Sequence, residues 1–181
     1  MNTRHEQDFT ALYRAHHPAV DAYVRRRLHA TADAGDVVAE VFLTAWRRLD
    51  DLPREATLPW LYATARRILA NTHRAEQRRR ALTETVGREQ RTLARDPADD
   101  VAGHQAVATA FDALSDSDRE VLRLALWEEL PARQAAMVLG CTTATFHVRL
   151  HRARRRLREQ LDRSARGSSH RTSSILGGAD A

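Results

Sequence analysis

The sequence contains no lysine, so all 29 of its basic residues are arginine. Codon usage in a GC-rich genome is the simplest cause of that bias. A single cysteine, Cys141, excludes an internal disulfide framework and any zinc site built on several cysteines. With 7 glycines and 5 prolines the chain is neither collagen-like nor of low complexity. No apolar run approaches the ~20 residues needed to span a bilayer. Residues Met1 to Phe9 lack the apolar core of a secretory signal, so the protein is expected to act in the cytoplasm. At 181 residues there is room for one ordinary domain or two small ones.

What is present is charge, unevenly placed. The net charge is only +5, a weak pointer to an acidic partner. Residues 1–80 are net basic, 81–110 net acidic and 111–181 net basic again. Between residues 142 and 166 eight arginines stand against two acids. Arginine clustered on one short element is the usual electrostatic footprint for phosphate.

Apolar residues recur at three- and four-residue steps throughout, with no alternating strand pattern and no Asn-Gly hairpin signal, so the fold class is all-α. Phe9, Leu12 and Tyr13 open a first stripe; Pro18 is a position where a helix restarts, followed by Val20, Tyr23, Val24 and Leu28. Asp33 is a candidate N-cap for a helix with Val38, Val41, Phe42, Ala45, Trp46 and Leu49 on one face. Residues 50–58 read as a loop, and Pro59 opens a helix with Leu61, Ala65, Ile68, Leu69 and Thr72 inward. These four helices would bury one another's stripes as a domain over residues 1–80. Residues 81–103 are polar and acidic and read as a flexible linker; a second helical domain follows over 104–162. The Ser- and Gly-rich tail, 163–181, has too few apolar residues to fold and is expected to be disordered.

The most specific local signal runs from Ala132 to His151 and has the spacing of a helix-turn-helix. Ala136 is small enough to let a second helix approach, Gly140 supplies the positive φ of a tight turn, and Cys141 suits a buried site at that turn. At 100° per residue, Phe146, Leu150, Ala153, Leu157 and Leu161 share an inner side. Ala144, Val148, His151, Arg152 and Arg155 fall opposite, flanked by His147 and Arg149, with Thr143 at the helix start. Small residues early and arginines later suit a major groove, where early positions meet base edges and later ones phosphates. The bland alternative is a solvated basic helix closing a bundle. Ser115 and Asp118 resemble a capping box before Val121, Leu122 and Leu124.

The helix after Pro59 has a basic side of its own: Arg66, Arg67, Arg74 and Arg78 point away from the core, toward phosphates or simply toward water. Trp60 could stack on an unpaired base, although packing against a neighbouring helix is the commoner use. On the preceding helix Asp36, Glu40, Leu43, Thr44 and Arg47 lie off the apolar stripe. An exposed leucine among charges suits a protein partner, though one leucine alone needs no explanation.

Taken in order, these segments resemble the extracytoplasmic-function group of bacterial RNA polymerase sigma factors over roughly residues 7–162. Asp33 to Leu43 looks like that family's core-binding helix, and Trp60-Leu61-Tyr62-Ala63-Thr64-Ala65-Arg66-Arg67 like the start of its promoter −10 helix. Leu114-Ser115, Arg119 to Leu122, Leu139 to Cys141 and Arg149 to Arg154 look like its −35-binding domain. The resemblance implies core polymerase binding at the clamp through Asp36, Glu40, Leu43 and Thr44. It implies −10 contacts from Trp60, Arg66, Arg67 and Arg74, helped by the 50–58 loop. It implies −35 contacts from Thr143, Ala144, His147, Val148, His151 and Arg152, with Arg149 and Arg155 on phosphates. Promoter DNA and core polymerase are then the partners, an anti-sigma factor a further candidate, and no membrane or small-molecule substrate is expected. The sequence departs from the family pattern at Arg67, often asparagine, at Ala135, usually larger, at Ala144, often glycine, and at His147-Val148, commonly Lys/Arg-Ser.

Two rivals come from other classes. A freestanding helix-turn-helix regulator would need a dimer surface and paired half-sites, and neither heptads nor a ligand domain is evident. An enzyme on nucleic acid would need a catalytic constellation. His147 and His151 have i, i+4 spacing, but no glutamate completes a zinc-protease pattern, and there is no Gly-rich phosphate loop or nucleophile elbow. No catalytic residue, cofactor or metal is expected.

Overall fold

The computed structural model describes the backbone of residues 3–28, 33–83 and 101–176, and the side chains of 3–28, 33–79 and 105–163. Every regular element among the described residues is helical, as the periodicity demands. The chain forms two compact units.

The first unit holds α1 (Thr3–Arg25), α2 (Ala34–Arg47) and α3 (Thr57–Thr83). The four helices expected here are three: α1 runs unbroken through Pro18. Pro18 lacks the N–H that would bond to the Arg14 carbonyl, and its ring crowds that carbonyl. Its ring lies on the exposed side, where water can satisfy that carbonyl, so the helix is not forced to end. Val20, Tyr23 and Val24 of α1 are fully buried against Val37, Val38, Val41, Phe42 and Ala45 of α2 and Leu61, Tyr62 and Ala65 of α3. Aromatic contacts register the helices. The Tyr23 and Tyr62 rings stack with centroids 4.4 Å apart, and the Arg27 guanidinium lies 3.5 Å over the Tyr23 ring. Phe9 and Tyr13 meet Phe42 of α2 at 6.5 and 4.7 Å, and Phe9 also meets Trp46 edge-on at 5.0 Å. Such ring pairs add roughly 0.5–1.5 kcal/mol each beyond their area.

Asp33 caps α2 as its sequence position suggests: its carboxylate accepts from the Gly35 N–H at 2.8 Å. The 50–58 loop is two 3₁₀ turns, Leu49–Asp51 and Arg54–Ala56. The Thr57 hydroxyl donates back to the Pro53 carbonyl at 3.1 Å, and α3 therefore starts two residues before Pro59. Pro59 sits in the first turn, where a missing N–H costs nothing.

In the second unit lie α4 (Val101–Asp112), α5 (Asp116–Leu126), α7 (Thr143–Leu176) and the start of α6 (Ala132–Leu139). Ser115 caps α5, accepting from the Asp118 N–H at 3.2 Å. Ala110, Leu114, Val121, Leu122 and Leu124 meet Phe146 and Ala153 of α7 in the core. α5 ends with the Leu130 N–H bonded to the Leu124 carbonyl at 3.1 Å, a wrap that needs a left-handed residue. Glu129, φ 49°, supplies it without being glycine.

The expected linker overlaps both flanking helices: residues 81–83 continue α3 and 101–103 open α4, while 84–100 lie outside the described residues. The tail expected to be disordered from 163 is helical as far as Leu176. Extending a helix already formed avoids the cost of nucleation, and no proline interrupts this stretch. Residues 177–181 lie outside the described residues.

Candidate nucleic-acid interface

The turn between α6 and α7 is built by three residues. Gly140 adopts φ 63°, and its N–H bonds to the Met137 carbonyl at 3.1 Å. Thr142 then caps α7, its hydroxyl accepting from the Thr145 N–H at 3.1 Å. Ala135 and Ala136 of α6 are buried, as small residues in the first helix of such a turn should be. Cys141 is only half-buried, less enclosed than expected: the left-handed Gly140 carries the chain outward at the turn.

The sides of α7 beyond this turn differ in burial. Phe146 and Ala153 are buried, with Leu150, Leu157 and Leu161 partly covered. Thr143, Ala144, His147, Val148, Arg149, His151, Arg152 and Arg155 are all exposed, as the angular division predicts. Of these, Arg155 has an acid beside it, Glu159 Oε1 at 3.3 Å. Both side chains are well exposed, so that pair is worth little and can yield to a phosphate. Arg156 behaves differently, and spacing does not single it out. Its Nη1 donates to both carboxylate oxygens of Asp118 on α5, at 2.9 and 2.7 Å. A separation of 38 residues hides that pair from any periodicity argument. An acid at the third position of a capped helix, otherwise without reason to be buried, is the signal that could have found it.

In the first unit α3 presents Arg66, Arg67, Arg74 and Arg78 outward. Arg74 Nη2 donates to Asn71 Oδ1 at 2.6 Å, which steadies it along the helix. Trp60 is half-buried, with the Arg48 guanidinium 6.0 Å from its ring, so part of the indole stays open and part packs. On α2, Asp36, Glu40 and Leu43 are exposed, but Thr44 is partly buried and its hydroxyl donates to the Glu40 carbonyl at 2.8 Å. Thr44 is therefore occupied by its own helix. Val107, Leu126 and Trp127, none of them singled out by the sequence, add exposed apolar surface to the second unit.

Among the described residues no group of three or more His, Cys, Asp or Glu side chains could hold a metal ion. No helix among them is long and apolar enough to cross a membrane. The two open basic helix faces can neutralise phosphates.

Known proteins show the same two parts. Residues 12–79 match the Sigma-70 region 2 family model and residues 104–157 the Sigma-70, region 4 model. The ECF RNA polymerase sigma factor SigK of Mycobacterium ulcerans is 29% identical over 168 residues, covering 89% of this chain and 90% of that one. The probable RNA polymerase sigma factor RfaY of Xanthomonas campestris pv. campestris is 33% identical over 150 residues; the match covers 76% of this chain but 37% of RfaY. In three dimensions the sigma factor RpoE of Bartonella quintana, solved with its anti-sigma factor NepR, superposes with a TM-score of 0.69 at 24% identity. That match covers 86% of this chain and 98% of that one, and it speaks for the fold. Both family models in order along one chain, on two helical units of the matching kind, decide the relationship: the chain belongs to the sigma-70 family, in its extracytoplasmic-function group of RNA polymerase sigma factors.

Proposed function

We propose that this alternative sigma factor binds core RNA polymerase and directs transcription initiation with its two units divided by task. The first, residues 1–80, docks on the polymerase clamp through the side of α2 that carries Asp36, Glu40, Leu43 and Thr44. Its α3 takes the melted −10 strand: Trp60 offers a ring face to an unpaired base, and Arg66, Arg67 and Arg74 follow the backbone. The second unit, residues 104–162, reads the −35 duplex. Thr143, Ala144, His147, Val148, His151 and Arg152 lie toward base edges, with Arg149 and Arg155 on phosphates. Residues 81–103, net acidic, tether the two units. The protein acts in the cytoplasm with the polymerase, as an accessory subunit without chemistry of its own. An anti-sigma factor is a further expected partner, since the related RpoE is solved bound to one.

The observation that carries this reading is the outward side of α7, where exposed arginines adjoin small and apolar residues on a helix capped and turned for groove docking. The test is run-off transcription with core polymerase and genomic promoter fragments. Start sites that require the added protein support the reading, and failure to associate with core enzyme from its own organism would sink it.

A further inference from the structure

We infer that Val148 reads the C5-methyl group of a thymine in the −35 element. The inference rests on the reading of α7 as the −35 helix and names what one of its residues recognises.

Val148 is 49% exposed, whereas Phe146, two positions before it, is 1% exposed. Ala144, one turn earlier on the same side, is exposed as well. Together they form an apolar strip along the middle of the outward face. His147 and His151 lie on one edge of the strip, and Arg149 and Arg152 on the other. Arg155, one turn further on, closes its far end.

An exposed valine on its own needs no explanation. Its surroundings say what can cover it. Between residues 142 and 166 eight arginines stand against two acids, so the complementary surface is a polyanion rather than an apolar protein patch. On a polyanionic duplex, a side chain without donor or acceptor can tell bases apart only by apolar contact. The major groove presents one apolar group, the thymine methyl. Valine is also suited to the task mechanically. Its β-branch leaves essentially one χ1 rotamer in a helix, so no side-chain freedom is lost when the contact forms. His147 and His151 would then supply the neighbouring hydrogen bonds through their ring nitrogens.

The test uses the full chain assembled with core polymerase on a promoter mapped by run-off transcription. Each thymine of the −35 element, on either strand, is replaced in turn by deoxyuridine, which removes the methyl and keeps the pairing edge. Losing one buried methyl contact should weaken holoenzyme binding about fourfold at one thymine position. Val148→Ala should bind the thymine and deoxyuridine promoters equally at that position, and Val148→Ser likewise. Because Val148 is exposed, both variants should retain the wild-type circular dichroism. Equal wild-type affinity for every deoxyuridine promoter overturns the inference. So does a thymine dependence that survives in Val148→Ala, or a −35 element without an A·T pair. If the wild-type holoenzyme shows no promoter-specific binding at all, the sigma reading falls and takes this inference with it.

Discussion

The Asp118 carboxylate joins the first turn of α5 to the middle of α7. Arg156 Nη1 donates to its two oxygens at 2.9 and 2.7 Å, and the Ser115 hydroxyl donates to it at 2.8 Å. Asp118 is 7% exposed and therefore depends on these partners. The pair fixes the rotation of α7 about its axis, and with it which residues of that helix look outward. It also removes Arg156 from the arginines available to phosphate, while its neighbours Arg154, Arg155 and Arg158 stay exposed.

Breaking the pair should loosen the second unit. Removing one partner of a fully buried ion pair costs about 3–5 kcal/mol. The Arg156 side chain is half exposed, so water stays on its outer side and the expected loss for Arg156→Met is about 1–2 kcal/mol. Asp118→Asn should cost a similar amount, and the double variant less than the two losses added. Urea unfolding of the four proteins measures this cycle. Additive losses would mean that the two side chains do not interact in solution.

Two left-handed residues make opposite predictions. Gly140 at φ 63° has no atom within 4 Å of where a Cβ would stand, so Gly140→Ala carries a backbone cost alone, about 1–2 kcal/mol. Gly140→Asn should cost less, because asparagine tolerates this conformation. Glu129 at φ 49° already bears such a cost, and Glu129→Gly should stabilise by about 0.5–1 kcal/mol. Thermal melts of the three variants give the signs. A destabilised Glu129→Gly would show that its side chain contributes more than the strain removes.

His16 in α1 is partly buried, and desolvation lowers its pKa from the ordinary 6.5. The unfolded chain then binds a proton more readily than the folded one. Stability from this group is fully present above pH 6.5 and is lost as pH falls through the depressed folded value. Melting the wild type and His16→Gln between about pH 5 and 8 isolates the effect: the wild type should lose stability on the acid side more steeply than the variant. Parallel curves would remove His16 from the account.

Signals confined to a few neighbouring residues are legible in the sequence. The Asp33 and Ser115 caps, the positive φ of Gly140 and the outward side of α7 depend on local dihedrals and on the 100° period. The features that escape it depend on distant or solvent-side facts. Pro18 is tolerated because its side of α1 is exposed, and the Asp118–Arg156 pair spans two helices. Glu129 bears a backbone conformation for which the sequence offers no glycine signal. Trp127 meets the Phe111 ring of α4 at 5.2 Å and still stays half exposed, which periodicity within its own segment does not reveal. Thr44 falls outside the apolar stripe by angle, yet its short side chain turns back onto the Glu40 carbonyl.

Leu43 and Trp46 lie one turn apart on α2 and should separate polymerase binding from stability. Leu43 is 48% exposed between Asp36, Glu40 and solvent, with nothing in the fold requiring a leucine there. Leu43→Ser should therefore change stability by no more than about 0.5 kcal/mol. If that side chain is buried against the polymerase clamp, losing it removes about 1.5–3 kcal/mol of binding, a drop in core affinity of roughly ten- to a hundredfold. Trp46 instead meets His5 and Phe9 of α1 edge-on, at ring separations of 4.5 and 5.0 Å. Trp46→Ser should lower the melting temperature of the first unit, because it deletes ring contacts between α1 and α2. Fluorescence titration of labelled protein with core polymerase, read beside thermal melts, distinguishes the two residues. Unchanged core affinity in a folded Leu43→Ser protein would move the docking surface off this side of α2.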